Sequence, residues 1–141
     1  MKKRLPALFI VVALLISCCQ LVNASGIEPY ASKYLSQYTI ALGPGDGKGE
    51  VKLGFSINAT DTMTQVGISK VEIYKSNGSY VTTIYGNSVN KLMGYSTEYH
   101  GGAYIYTGTS GVSYYAKVTV YAKDSTGSDS RTVTTATAKA P

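Results

Sequence analysis

The sequence predicts an all-β domain: a single antiparallel β-sandwich of about seven strands, preceded by an export signal and a short helical or turn segment. Three observations carry that prediction. Two runs place apolar residues at every second position, Val51-Leu53-Phe55-Ile57 and Tyr114-Ala116-Val118-Val120-Ala122. Successive strand side chains project to opposite faces, so each run buries one face and wets the other. Turn-forming clusters of Gly, Asn, Asp and Ser recur at intervals of roughly 8–12 residues with no long helical pattern between them, which favours hairpins over parallel crossovers. The composition agrees: of 141 residues, 15 are Gly and 13 Tyr, and only 15% are charged.

The elements follow in chain order. Met1 to Arg4 is basic, and Leu5 to Ser17 is an apolar run, too short for a permanent membrane span of about 20 residues. The order of basic, apolar and small-residue parts is that of a secretory signal. Two processing sites compete. Val22-Asn23-Ala24 before Ser25 predicts cleavage after Ala24, a signal of residues 1–24 and free secretion. Leu15-Ile16-Ser17-Cys18 instead resembles a bacterial lipobox, in which a signal of residues 1–17 is removed and Cys18 is lipidated, giving a membrane-anchored lipoprotein.

Cleavage after Ala24 removes Lys2, Lys3, Arg4 and both cysteines. Ten basic residues then face eight acidic ones, a net charge of +2 instead of +5. A near-neutral chain has no electrostatic footprint for nucleic acid. Without a thiol, residues 25–141 have no cysteine for catalysis, metal binding or disulfides.

In residues 25–37, Pro29 precedes Tyr30, Ala31, Tyr34 and Leu35 at helical spacing, so a short helix or turn is expected there. The sandwich domain is expected over 38–141. Its strands are Tyr38 to Leu42, Val51 to Ile57, a run centred on Val71 and Ile73, Tyr80 to Tyr85, Ala103 to Thr107, Tyr114 to Ala122, and a Thr-rich edge from Arg131 to Ala138. Asn77-Gly78 tolerates positive φ and predicts a tight hairpin. Gly86 to Gly102 is expected to be irregular, with Leu92 and Met93 plugging one end of the core.

Gly111 to Gly127, with Tyr114 ahead of alternating Val118 and Val120, resembles the sixth strand and following loop of fibronectin type III and related immunoglobulin-like domains. That resemblance implies an immunoglobulin-like sandwich with Tyr114 as a tyrosine corner, its hydroxyl bonding a backbone group. Further segments widen the comparison: Ala31-Ser32-Lys33-Tyr34-Leu35, Met63 to Gly67 with Val71-Glu72-Ile73-Tyr74, Gly108 to Gly111 with Tyr114-Tyr115-Ala116, and Tyr121-Ala122 with Ser130-Arg131. Together they resemble a family of small secreted proteins of Gram-positive bacteria with no assigned function. The resemblance implies an extracellular setting and supplies no catalytic residue.

Candidate chemistry is sparse. His100 is the only histidine, and a small secreted hydrolase would have to build on it with a carboxylate such as Glu98 and a Ser. Asp46, Asp61, Asp124 and Asp129 are loop residues in which turn chemistry outweighs a calcium site. The remaining signal is aromatic: Tyr74, Tyr104, Tyr106, Tyr115 and Tyr121 are expected to project outward as broad amphipathic rings. The expected function is therefore a non-enzymatic secreted or cell-surface binding or structural module. Its partner would be a protein or glycan at the cell surface, with a carbohydrate-binding module on the tyrosines as alternative. No cofactor, metal or nucleic acid is expected, and membrane contact only through Cys18.

Overall fold

The computed structural model describes residues 32–141, and every regular element within them is a β-strand. The expectations for the signal, for the Ala24 and Cys18 processing sites and for residues 25–31 lie outside the described residues.

Seven strands form one continuous antiparallel sheet: β1 (Leu35–Pro44), β2 (Glu50–Lys75), β3 (Tyr80–Tyr85), β4 (Met93–Thr107), β5 (Ser113–Lys123), β6 (Ser128–Thr134) and β7 (Ala138–Lys139). The sheet is curled like a half-barrel. Its spine is β2, 26 residues long. The first half of β2 pairs with β1 on one side and with β4 on the other. The second half pairs with β5 on one side, and with the start of β4 and then β3 on the other. β5 carries β6 and, near its beginning, β7.

The curl gives the apolar faces one shared interior. Val51, Leu53, Phe55 and Ile57 from the first half of β2 are buried with Tyr114, Ala116, Val118, Val120 and Ala122 of β5 in a single core. Between Asn58 and Lys70 β2 exchanges β1 for β5 as its partner and its register breaks twice. Val66, Gly67 and Ile68 are consecutive and all buried, so both faces of the strand are covered there. A register shift against β5 between Ile68 and Lys70 then resets the alternation, and Val71 and Ile73 point inward again. Leu92, at the end of the loop before β4, joins the core, and Met93 beside it is also buried.

Three expectations are corrected. Leu35 to Gln37, predicted in a helical or turn segment, begin β1, because Leu35 is drawn into the core. The strands expected around Val51 and Val71 are one strand. Residues 93–102, predicted irregular, belong to β4, whose inward positions include His100 and Gly102 in place of recognisable apolar residues. The predicted hairpin forms at Asn77-Gly78: Gly78 has φ +87°, its N–H donates to the Lys75 carbonyl, and Asn77 Oδ1 accepts the Ser79 N–H.

Candidate functional site

The outer face of β3, β2, β5 and β6 is built by register. Residues directly opposite in an antiparallel pair share a face. Tyr80, Tyr74 and Tyr115 therefore form one transverse row. The next row is Thr83, Glu72, Lys117 and Thr134, and the one after it Tyr85, Lys70, Thr119 and Thr132. Their chain neighbours Val71, Ile73, Ala116 and Val118 are buried, which turns these rows to the outside.

In the tyrosine row the Tyr74 and Tyr115 rings stack at 5.2 Å between centroids and 11° between planes, and Tyr80 meets Tyr74 edge-on at 5.8 Å and 73°. The Lys117 ammonium sits 5.2 Å from the Tyr74 ring centroid. Such aromatic pairs contribute about 0.5–1.5 kcal/mol each beyond the area they bury, and the cation adds about 0.5–1 kcal/mol at an exposed site. The row is thus ordered before any ligand arrives. Around it, the Tyr80 hydroxyl lies 3.0 Å from Thr83 Oγ1, Lys70 pairs with Glu72 at 3.4 Å, and Thr119 and Thr132 hydroxyls lie 3.2 Å apart.

The five tyrosines singled out from the sequence separate. Tyr74 and Tyr115 are brought together on the outer face. Tyr121 shares that face of β5 but stands six residues from Tyr115, about 20 Å along the strand, opposite Gly67 and Ser130. Tyr104 and Tyr106 do not project outward. They lie opposite Leu53 and Val51 and pack against the core. Tyr106 meets Tyr114 edge-on at 5.6 Å, and its phenol pKa is pushed up by burial and by the Tyr114 hydroxyl. The physical reason is that β4 offers apolar side chains on both faces, and pairing with β2 selects Tyr104 and Tyr106 for the interior while Ile105 faces out.

Tyr80 and Tyr85, 59% and 69% exposed, were missed. The signal available was the Asn77-Gly78 hairpin, which folds the chain back so that Tyr80 lands opposite Tyr74. Tyr114 is buried, and its hydroxyl accepts the Thr109 N–H at 2.8 Å.

The other candidate groups have local duties. Asp124 accepts hydrogen bonds from the Thr126 hydroxyl and the Thr126 and Gly127 N–H groups, which lower its pKa and fold the loop before β6. The Asp129 carboxylate is held below the usual range first by the Ser32 hydroxyl, with the Ser130 N–H and the Arg131 guanidinium assisting against partial burial. These contacts tie the start of β1 to β6. Among the described residues, no three His, Cys, Asp or Glu side chains converge as a metal site. His100 packs against Phe55 with 5.6 Å between ring centroids, and its Nε2 donates to the Lys91 carbonyl at 2.8 Å. It lines a shallow groove of about 480 Å³ with Ser88, Lys91 and Tyr95.

No protein-family model matches the chain, and no curated protein matches it. Among solved structures, it is similar to a family 76 glycoside hydrolase from a bovine Bacteroides thetaiotaomicron strain, at 15% sequence identity and a TM-score of 0.44. The match covers 74% of this chain and 20% of that one, so this chain spans about a fifth of the hydrolase's length.

Proposed function

We propose that this protein is an exported, non-enzymatic binding module of immunoglobulin-like architecture whose outer tyrosine face engages a partner at the cell surface. The observation that carries the reading is the row Tyr80, Tyr74, Tyr115 with Lys117 over it. Aromatic side chains in a rigid array offer contact area at little entropic cost, and here the neighbouring rings and strands already hold them. The immunoglobulin-like kinship is supported by the buried alternation of β5 and by the Tyr114 hydroxyl on the Thr109 N–H. Export is supported by the sequence of residues 1–24.

A protein partner is favoured at the Tyr74 end. Tyr74 and Tyr115 each cover one face of the other, and Tyr80 and the Lys117 ammonium crowd Tyr74 further, so this end offers mainly ring edges, hydroxyls and a cation, which suit polar and apolar protein atoms better than the flat face of a sugar. The carbohydrate reading moves instead to Tyr80 and Tyr85. Their partners in β2, Tyr74 and Lys70, are four residues apart, so the two exposed rings stand about 13 Å from each other along β3. The test uses the proposed mature form, residues 25–141. Purified surface proteins and a glycan array are each probed with this chain and with Tyr115→Ala and Tyr85→Ala. Protein retention lost in Tyr115→Ala supports the favoured reading; glycan retention lost in Tyr85→Ala supports the second. Retention of neither class, with intact thermal unfolding, overturns both.

A further inference from the structure

Exposed large apolar side chains fall in two places. Tyr80 and Tyr85 belong to the face already described. Tyr95, Tyr99 and Ile105, 49%, 52% and 46% exposed, all lie on β4, with Val89 in the loop leading to it. β4 hydrogen-bonds to β2 along one side, and among the described residues no strand pairs with its other side.

A free sheet edge presents unpaired N–H and C=O groups that template pairing, and monomeric proteins blunt it with short length, charge, Pro, bulges or cover. The other outer strands carry such devices. β1 ends in Pro44 and lies against β5 and β7. β3 has six residues and a register break beside Tyr80. β6 carries Asp129 and Arg131. β4 has a register break between Thr97 and Tyr99 and a positive φ at Ser96, but from Tyr99 to Thr107 it pairs with β2 without interruption and carries no Asp, Glu, Lys, Arg or Pro.

We propose that β4 is a self-pairing edge, by which Tyr99 to Ile105 adds antiparallel to the same segment of a second copy of this chain across a two-fold axis. Directly opposed residues must share a face, since a one-residue slip would set outward side chains against inward ones. A two-fold axis at Gly102 meets that condition. Tyr99 falls opposite the second copy's Ile105, Gly101 opposite Ala103, and His100 opposite Tyr104. The outer face then covers the exposed Tyr99 and Ile105 twice, once at each end, and the Tyr99 ring leans over Gly101, the position that has no side chain of its own. Glu98 is the one acid of the strand, so no two like charges meet in this register. The segment is its own complement, an exposed aromatic ring at Tyr99 facing an exposed β-branched side chain at Ile105 at each end with no charge between them, whereas Asp129 and Arg131 mark β6 as a charged edge. The Thr97 hydroxyl bonds both the N–H and the carbonyl of Tyr99, and it marks where the shared ladder stops.

Sedimentation equilibrium of residues 25–141 tests the proposal. The wild-type chain is expected to dimerise with concentration. Ile105→Lys, at an exposed position, should weaken the dimer about tenfold or more because the substitution occurs twice in the interface, and Tyr99→Glu should do the same. Tyr99→Glu combined with Ile105→Lys should restore dimerisation by setting opposite charges across the axis. Thermal unfolding verifies that each variant is folded, and either single variant suffices if the other is not. A monomer at all concentrations, a dimer indifferent to both substitutions, or a monomer that instead takes up an unrelated extended peptide along β4 overturns the proposal.

Discussion

Tyr114 shows how one side chain joins packing to chain path. Its ring lies in the core against Tyr106, while its hydroxyl accepts the backbone N–H of Thr109 and fixes the turn entering β5. Tyr114→Phe keeps the ring and strands that donor, so a loss of about 1–2 kcal/mol is expected in a urea melt. Phe55 has no polar duty; it fills the space between the core, Gly102 and His100. Phe55→Ala should cost about 3–5 kcal/mol by the same measurement. At Asp129 the expectation is a pH dependence. The folded-state pKa is lowered, chiefly by the Ser32 hydroxyl; the carboxylate's contribution is therefore complete above the ordinary value of about 4 and is lost as pH falls through the folded value. Stability measured from pH 6 to pH 2 should decline below pH 4, and Asp129→Asn should flatten that decline. At this scale the sequence was informative wherever parity alone decides. The inward assignment of Tyr114 and Phe55 follows from alternation, whereas Tyr104 and Tyr106 went to the wrong side because Ala103 and Ile105 are apolar too and tyrosine suits either face.

Among the elements, β5 and the first half of β2 were legible because their alternation is unbroken. The middle of β2 was not, because a strand that bends while both its faces are covered loses the period of two: Met63, Val66 and Ile68 are all buried at mixed parity. β4 was hidden for another reason. Its inward-facing row contains His100 and Gly102, and its shape comes from β2 alongside it instead of from its own pattern. Tyr80 and Tyr85 were overlooked as site residues because their relation to Tyr74 and Lys70 exists only through hairpin register. Gly67 is the position where β2 and the chain entering β4 pass too close for a side chain. A Cβ there would run into the backbone of Leu92 and Met93, atoms that cannot swing aside as a flexible side chain can. Gly67→Ala is therefore expected to destabilise by about 1–3 kcal/mol through overpacking, read as a lower unfolding midpoint with the tyrosine face otherwise unchanged.

For the molecule as a whole, the last described residues cross the gap between the turn before β2 and the turn before β5 and cover that end of the core. The Gly49 N–H donates to the Pro141 carbonyl at 2.6 Å, the Gly111 N–H to Ala140 at 2.8 Å, and the Ala140 N–H to Val112 at 2.9 Å, while Ala138 and Ala140 are buried. A half-barrel without that crossing would leave the Gly49 and Gly111 N–H groups and the Val112 carbonyl without partners, lose the β5–β7 pairing, and open one end of the core near Tyr114 to water. Each net backbone hydrogen bond contributes about 0.5–1.5 kcal/mol, so deleting residues 138–141 should lower stability by about 2–4 kcal/mol. The loss should also be local at first: hydrogen exchange is expected to quicken at Gly49, Gly111 and Ser113 before it does at Val66 or Val118, whose strands stay paired on both sides. A deletion that quickened exchange evenly through β2 would mean that the sheet closes by its curl alone. That outcome would shift the origin of closure from the terminal crossing to the register breaks in the middle of β2.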